Sequence, residues 1–247
     1  MTPSIGIQLW TVRDALQEDF KGTLKALAGM GYHGIEFAGN YGGMKPRELA
    51  VFLQGIGLQT AGMHTSLDEI LNPCSDTYAY ARALNGSFLT TSLCGEVEKD
   101  WTATVDHMVA AGAAAFAQGF TFTYHNHAEE LAEVNGIIAL DQVLARPGAL
   151  VQFEIDTYWI KKGGKDPVSF IRRYSGRVPQ VHLKDMDRAD GTFTEVGYGL
   201  MDLPAIFKAI ETSGTRWLIV EQDTCKRPAL DSARMSMDTL MKAGIAG

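Results

Sequence analysis

The chain has 247 residues, with 22 Lys and Arg against 29 Asp and Glu, a formal charge of −7. Its 46% apolar content is that of a globular protein with a sizeable core and excludes disorder. The acidic balance argues against a nucleic-acid partner, and no apolar run reaches the ~18–20 residues of a membrane span.

Residues 1–5 pass directly into a strand-like run without a leader pattern, and Cys74, Cys94 and Cys225 lack paired spacing. The expectation is a cytoplasmic protein with no disulfide framework, no membrane and no nucleic acid. Strand 5–9 opens the chain, and one local pattern then repeats. Helix 18–30 stops at Gly31 before strand 34–37, and helix 46–56 stops at Gly57 before strand 58–63. Helix 75–86 precedes strand 88–93, and helix 101–118 stops at Gly119 before strand 120–124. Helix 137–145 leads to strand 150–155, and helix 167–174 to strand 178–183. Helix 202–213 stops at Gly214 before strand 217–220, and helix 229–243 closes the series. Glycine after a helix is the left-handed cap that returns the chain towards a sheet. Asp100 before Trp101, Asp166 before Pro167 and Asp202 before Pro204 are helix starts.

The strand runs are apolar on both faces, as parallel strands covered by helices should be. Eight alternating units with no break in composition predict an α/β fold: a single-domain (β/α)8 TIM barrel over residues 1–247. No strand is followed by the G-x-G-x-x-G turn of a doubly wound sheet.

The reactive face of such a barrel lies at the C-terminal ends of its strands. Polar residues gather there: Trp10 and Arg13 after strand 1, Glu36 on strand 2, His64 after strand 3 and His125-Asn126-His127 after strand 5. Strand 6 carries Glu154 and Asp156, followed by Trp159; strand 7 carries His182 and Lys184; strand 8 runs into Glu221-Gln222-Asp223. His33 and His107 fall on helix or turn positions and read as surface residues. A lone strand-end residue such as Glu36 can equally cap a loop. However, His125, Asp156, His182 and Glu221 end four consecutive strands of a closed barrel and must face one small volume. Two carboxylates buried together repel unless neutralised, and imidazole with carboxylate suits a divalent Mn, Zn, Co, Fe or Mg with positions left open for substrate. Parity puts Glu154 on the same face as Asp156, one layer below if that face is interior, and Lys184 on the same face as His182. Trp10 and Trp159 flank the mouth, where the commoner use of an aromatic side chain is packing.

At residues 5–13, 124–127, 156–159, 176–179 and 182–185 the chain resembles a bacterial branch of the xylose-isomerase-like barrel superfamily. That superfamily includes sugar phosphate isomerases/epimerases, inosose isomerase and dehydratase, ketose 3-epimerases and endonuclease IV. The resemblance covers essentially the whole chain and implies metal ligands at His125, Asp156, His182 and Glu221. There are departures. The strand-5 ligand of the ketose epimerases is a glutamate that shares proton transfer with the strand-8 glutamate, whereas here it is His125. Val196-Gly197-Tyr198-Gly199 stands for a Val-Gly-Glu-Gly stretch, and Ala128-Glu129-Glu130-Leu131 for an Asp-Phe-Glu-Phe pattern.

The resemblance implies a divalent-metal-dependent sugar or cyclitol isomerase/epimerase acting through an enediolate. Glu221 would be the first candidate base and His125 or His127 the second, with Lys184 offsetting oxyanion charge and Trp10, Glu36, His64 and Trp159 lining the substrate site. The missing carboxylate supports an alternative, a dehydratase or lyase that performs β-elimination on a keto-sugar or keto-inositol, with His127 protonating the leaving oxygen. The absence of a dense Arg/Lys cluster points to an unphosphorylated polyol. Endonuclease IV uses three metals and many more histidines, so a nucleic-acid substrate is disfavoured. A non-catalytic sugar-binding module is the third class. The small-residue run 110–115 suits close helix packing, within the chain or in a homo-oligomer.

Overall fold

The computed structural model describes residues 2–92, 101–134, 136–146 and 148–245. Eight parallel strands form a closed barrel: β1 Ser4–Gln8, β2 Gly34–Ala38, β3 Gln59–His64, β4 Phe88–Thr91, β5 Thr121–His125, β6 Val151–Asp156, β7 Gln180–Leu183 and β8 Trp217–Val220. β1 pairs with both β2 and β8, so the sheet has no free edge. The outer helices are α1 Phe20–Met30, α2 Pro46–Ile56, α3 Asp76–Ala83, α4 Trp101–Ala117, α5 Ala139–Leu144, α6 Pro167–Arg173, α7 Leu203–Ile210 and α8 Ala229–Lys242. This is the (β/α)8 barrel that the alternating pattern predicts.

The differences are local. The expected helix 18–30 is two helices, Arg13–Glu18 and α1, because Asp19 adopts an extended conformation and accepts the Gly22 N–H at 2.9 Å as an N-cap. The expected helix 137–145 starts with a two-residue strand at Ile137–Ile138. Strands β5 and β6 run one residue beyond expectation, which makes His125 and Asp156 their last residues. Asp166 and Asp202 cap α6 and α7 as expected. Asp100, the expected cap of α4, and Cys94 lie outside the described residues.

Gly31 and Gly57 end α1 and α2 at φ 101° and 76°, the left-handed region that glycine enters freely. The interface between strands and helices holds one continuous apolar cluster, with Ile5, Leu24, Phe37, Phe122, Phe153 and Leu218 all enclosed. A smaller cluster of Ala61, Phe88, Trp217 and Ile219 fills the barrel's interior. The pairing of β2 with β3 slips at Ile35/Glu36, where Gly62 rather than Ala61 comes opposite Glu36. A Cβ on Gly62 would stand 2.4 Å from Glu36 Oε1 and 2.5 Å from Gln180 Nε2, so only glycine leaves room for the polar layer above.

The small-residue run on α4 packs within the chain: Ala111, Gly112 and Ala115 are buried, and a Cβ on Gly112 would meet Leu150 O at 2.6 Å. His107 is exposed as expected, but His33 is half-buried and its Nδ1 accepts the Ile5 N–H at 3.1 Å. No described helix is long and apolar enough to cross a membrane.

Candidate active site

Strand register brings the four expected ligands together. Glu154 is level with His125, and Asp156 with His182; Glu221 follows β8 two residues beyond Ile219, which is level with His182. Asn126, between the two histidines of the β5 end, accepts the Asp156 N–H at 3.1 Å and ties β5 to β6. One donor atom from each of His125, Asp156, His182 and Glu221 lies within 4.8 Å of the others, and all four residues are buried. His182 Nδ1 stands 2.7 Å from Glu221 Oε2, and Asp156 Oδ2 stands 3.7 Å from His125 Nε2. Asp156 Oδ2 is buried and makes no well-aligned hydrogen bond among the described residues, its ion-pair partner being Lys184 Nζ at 3.1 Å. Two imidazoles and two carboxylates with donor atoms this close are a donor set that fits a divalent cation.

Lys184 lies above this group. Its Nζ pairs with Glu221 Oε2 at 2.7 Å, Asp223 Oδ1 at 2.7 Å and Asp156 Oδ2 at 3.1 Å, and the side chain is 2% exposed. A solvated loop lysine is thereby ruled out. Burial alone would lower the ammonium's pKa, but the three carboxylates hold it above its ordinary value. Burial alone would raise Glu221, yet Lys184 and His182 hold it well below the usual carboxylate range. Burial pushes Asp156 up to about 6 against the pull of Lys184. Asp223 falls in the expected strand-end stretch, but its pairing with Lys184 was not anticipated.

His127 lies at the rim of this group, its ring 5.0 Å from those of His125 and Trp159. Its Nδ1 is buried without a hydrogen-bond partner among the described residues, and burial together with Lys184 lowers its pKa to about 4. Its backbone N–H donates to Glu130 Oε2 at 2.9 Å, while Glu130 Oε1 accepts the Tyr124 hydroxyl at 2.7 Å. The one acidic residue kept from the family's pattern therefore fixes the turn that carries His127.

The expected substrate contacts separate by depth. Trp10 is 48% exposed at the rim, with the Arg13 guanidinium 4.6 Å from its ring centroid. Trp159 stands beside His127, with Lys184 Nζ 6.0 Å from its ring. Glu36 is fully enclosed: its Oε2 accepts from Gln8 Nε2 at 2.9 Å and lies 2.6 Å from His182 Nε2. Burial, with Glu154 adding to it, pushes Glu36 up to about 7. His64 is half-buried, with Nε2 2.6 Å from Glu154 Oε2.

Phe193 was not foreseen. It comes from a small antiparallel hairpin, 185–186 against 193–194, inserted after β7, and its ring lies 5.8 Å from Lys184 Nζ and 6.0 Å from Trp159. The Asp190-Gly191 pair at the turn is the signal that could have found it. Asp185, from the same hairpin, accepts the N–H groups of Gly197, Gly199 and Met201 and so orders the segment carrying Tyr198. A Cβ on Gly199 would collide with Asp185 Oδ1 at 2.2 Å, and one on Gly197, at φ 90°, with Thr239 Cγ2 at 2.5 Å, so each position requires glycine for its own reason.

A closed parallel barrel with a buried histidine–carboxylate cluster at the C-terminal ends of its strands defines a TIM barrel with a candidate metal centre. The chain belongs to the Xylose isomerase-like TIM barrel family, whose model matches residues 24–243. An inosose dehydratase of Geobacillus kaustophilus (strain HTA426) is 32% identical over 144 residues, 51% of this chain and 46% of that protein. Further curated relatives bear the same name, and the chain spans about half the length of the first of them. Among solved structures, a sugar phosphate isomerase/epimerase from Parabacteroides distasonis ATCC 8503 superposes with TM-score 0.83 at 22% identity, covering 100% of this chain and 96% of that one. The IOLI protein with a bound zinc atom superposes with TM-score 0.76 at 14% identity, covering 98% of each chain. At these identities the structural likenesses establish the fold.

Proposed function

We propose that this chain is a metal-dependent carbon–oxygen lyase that eliminates water next to the carbonyl of an unphosphorylated keto-sugar or keto-cyclitol. The observation that carries this reading is His127: a neutral imidazole at the mouth, its Nδ1 without a partner among the described residues, beside an ammonium and an aromatic wall. The sequence relatives named inosose dehydratase support it.

His125, Asp156, His182 and Glu221 would hold the cation, which when bound supplies Lewis-acid polarisation of the carbonyl. His127 takes the proton from the carbon next to the carbonyl. The C–H electrons move into the enolate, and Lys184 offsets the developing oxyanion. The enolate collapses, the C–O bond one carbon further on breaks, and His127 returns its proton to the departing hydroxyl. The products are water and an unsaturated ketone. Glu221 Oε2 is already shared by His182 and Lys184, so Glu221 serves as a ligand and the proton passes to His127. An epimerase needs acid/base groups on both faces of one carbon, and His125 in place of a carboxylate removes one of that pair. Trp10, Trp159 and Phe193 provide apolar surface for the ring of a polyol.

The test is incubation of the manganese- or cobalt-loaded protein with a panel of keto-inositols and keto-hexoses, followed by ultraviolet absorption and mass. The expected result is an absorbing enone lighter by one water, with His127→Ala lowering kcat by ~10²–10⁴-fold. Recovery of an epimer or isomer with no unsaturated product would contradict the lyase reading.

A further inference from the structure

Beneath the mouth quartet lies a second set of donors. His64 Nε2, His182 Nε2 and His125 Nδ1 stand 2.6, 3.1 and 3.2 Å from Glu154 Oε2. These four residues also bring one donor atom each within 4.8 Å of the others. The sister oxygen, Glu154 Oε1, is buried with no hydrogen-bond partner among the described residues, and Glu154 itself is fully enclosed. A carboxylate crowded by three ring nitrogens on one oxygen and bare on the other is poorly satisfied by hydrogen bonds. It is well placed to bind a cation through either or both oxygens.

We propose that this floor quartet, His64, His125, Glu154 and His182, is a second divalent-cation position that alternates with the mouth quartet. The two shared imidazoles set the alternation. His125 presents Nδ1 to Glu154 and Nε2 to Asp156; His182 presents Nε2 to Glu154 and Glu36, and Nδ1 to Glu221. A neutral imidazole has one N–H and one lone pair. With a cation at the mouth, both rings direct their N–H groups down, His125 to Glu154 and His182 to Glu36. With a cation on the floor, both direct them up, to Asp156 and Glu221. The two positions therefore differ by a tautomer exchange at both rings, and filling both at once would strip both rings of their protons.

Charge and ligand type favour the floor before substrate arrives. A cation at the mouth shares Asp156 Oδ2 and Glu221 Oε2 with the Lys184 ammonium, 3.1 and 2.7 Å away. Among the described residues no Lys or Arg forms an ion pair with Glu36 or Glu154. Three nitrogens and one carboxylate suit zinc or cobalt, whereas the oxygen-richer mouth suits manganese or magnesium.

The inference rests on the cation reading above but not on the substrate. The test is crystals of the full chain soaked in cobalt(II) alone, with anomalous difference maps at the cobalt edge. A peak among His64, Glu154 and the inner nitrogens of His125 and His182 is expected, either alone or sharing occupancy with a mouth peak. Glu221→Gln should keep the floor peak, and His64→Ala should move the density to the mouth. The visible cobalt(II) spectrum in solution gives a second readout: native protein and Glu221→Gln should share a band shape that His64→Ala changes. A peak confined to Asp156 and Glu221, or no peak, overturns the floor position. The first of these outcomes leaves the lyase proposal standing, whereas failure to form an enone sinks that proposal and leaves the floor position untouched.

Discussion

Lys184 is the residue on which the mouth's electrostatics turn. It is the positive charge paired with Asp156, Glu221 and Asp223. Removing one partner of a buried ion cluster costs about 3–5 kcal/mol, because the remaining charges lose their counter-ion. Lys184→Met is therefore expected to lower the midpoint of thermal unfolding sharply without added metal. Manganese should restore more stability to the variant than to the native chain, since a cation would replace the lost ammonium. An equal metal response in both proteins would show that Lys184 and the cation do not share ligands. The convergence of His125, Asp156, His182 and Glu221 was legible in the sequence because a closed barrel forces strand-end residues into one volume. Depth was not. Glu36 and His64 end adjacent strands and read as mouth residues, yet they contact the layer below. A register slip at Ile35/Glu36, invisible in hydropathy, accompanies the enclosure of Glu36.

At the level of elements, strands and helices were readable where apolar runs end in glycine or start at a capping aspartate. Asp166 illustrates the physics: its carboxylate accepts the Val168 and Ser169 N–H groups, which have no partner within the helix. Asp166→Ala is expected to cost ~1 kcal/mol by urea unfolding. Gly62→Ala acts differently. The new methyl would push Glu36 and Gln180 aside in a closed interior, with an expected loss of ~1–3 kcal/mol. A Gly62→Ala protein as stable as the native chain would show that the polar layer has slack. The hairpin bearing Phe193 escaped the sequence reading because each strand has two residues, too few to carry an alternating pattern.

For the whole molecule, the barrel supplies a rigid frame in which residues almost a hundred positions apart share ligands. His182 is the hinge of this arrangement, since its two nitrogens face Glu221 on one side and Glu36 and Glu154 on the other. Both donor quartets found among the described residues thus depend on one imidazole. The most direct test is bound metal per chain after equilibration with manganese, zinc or cobalt and removal of free ion, for the native protein and His182→Ala. The expected result is one tightly held ion per native chain and an affinity at least ~10-fold weaker in the variant. Native protein that retains no ion, or a variant that holds it equally well, would contradict the metal centre on which the proposed chemistry depends.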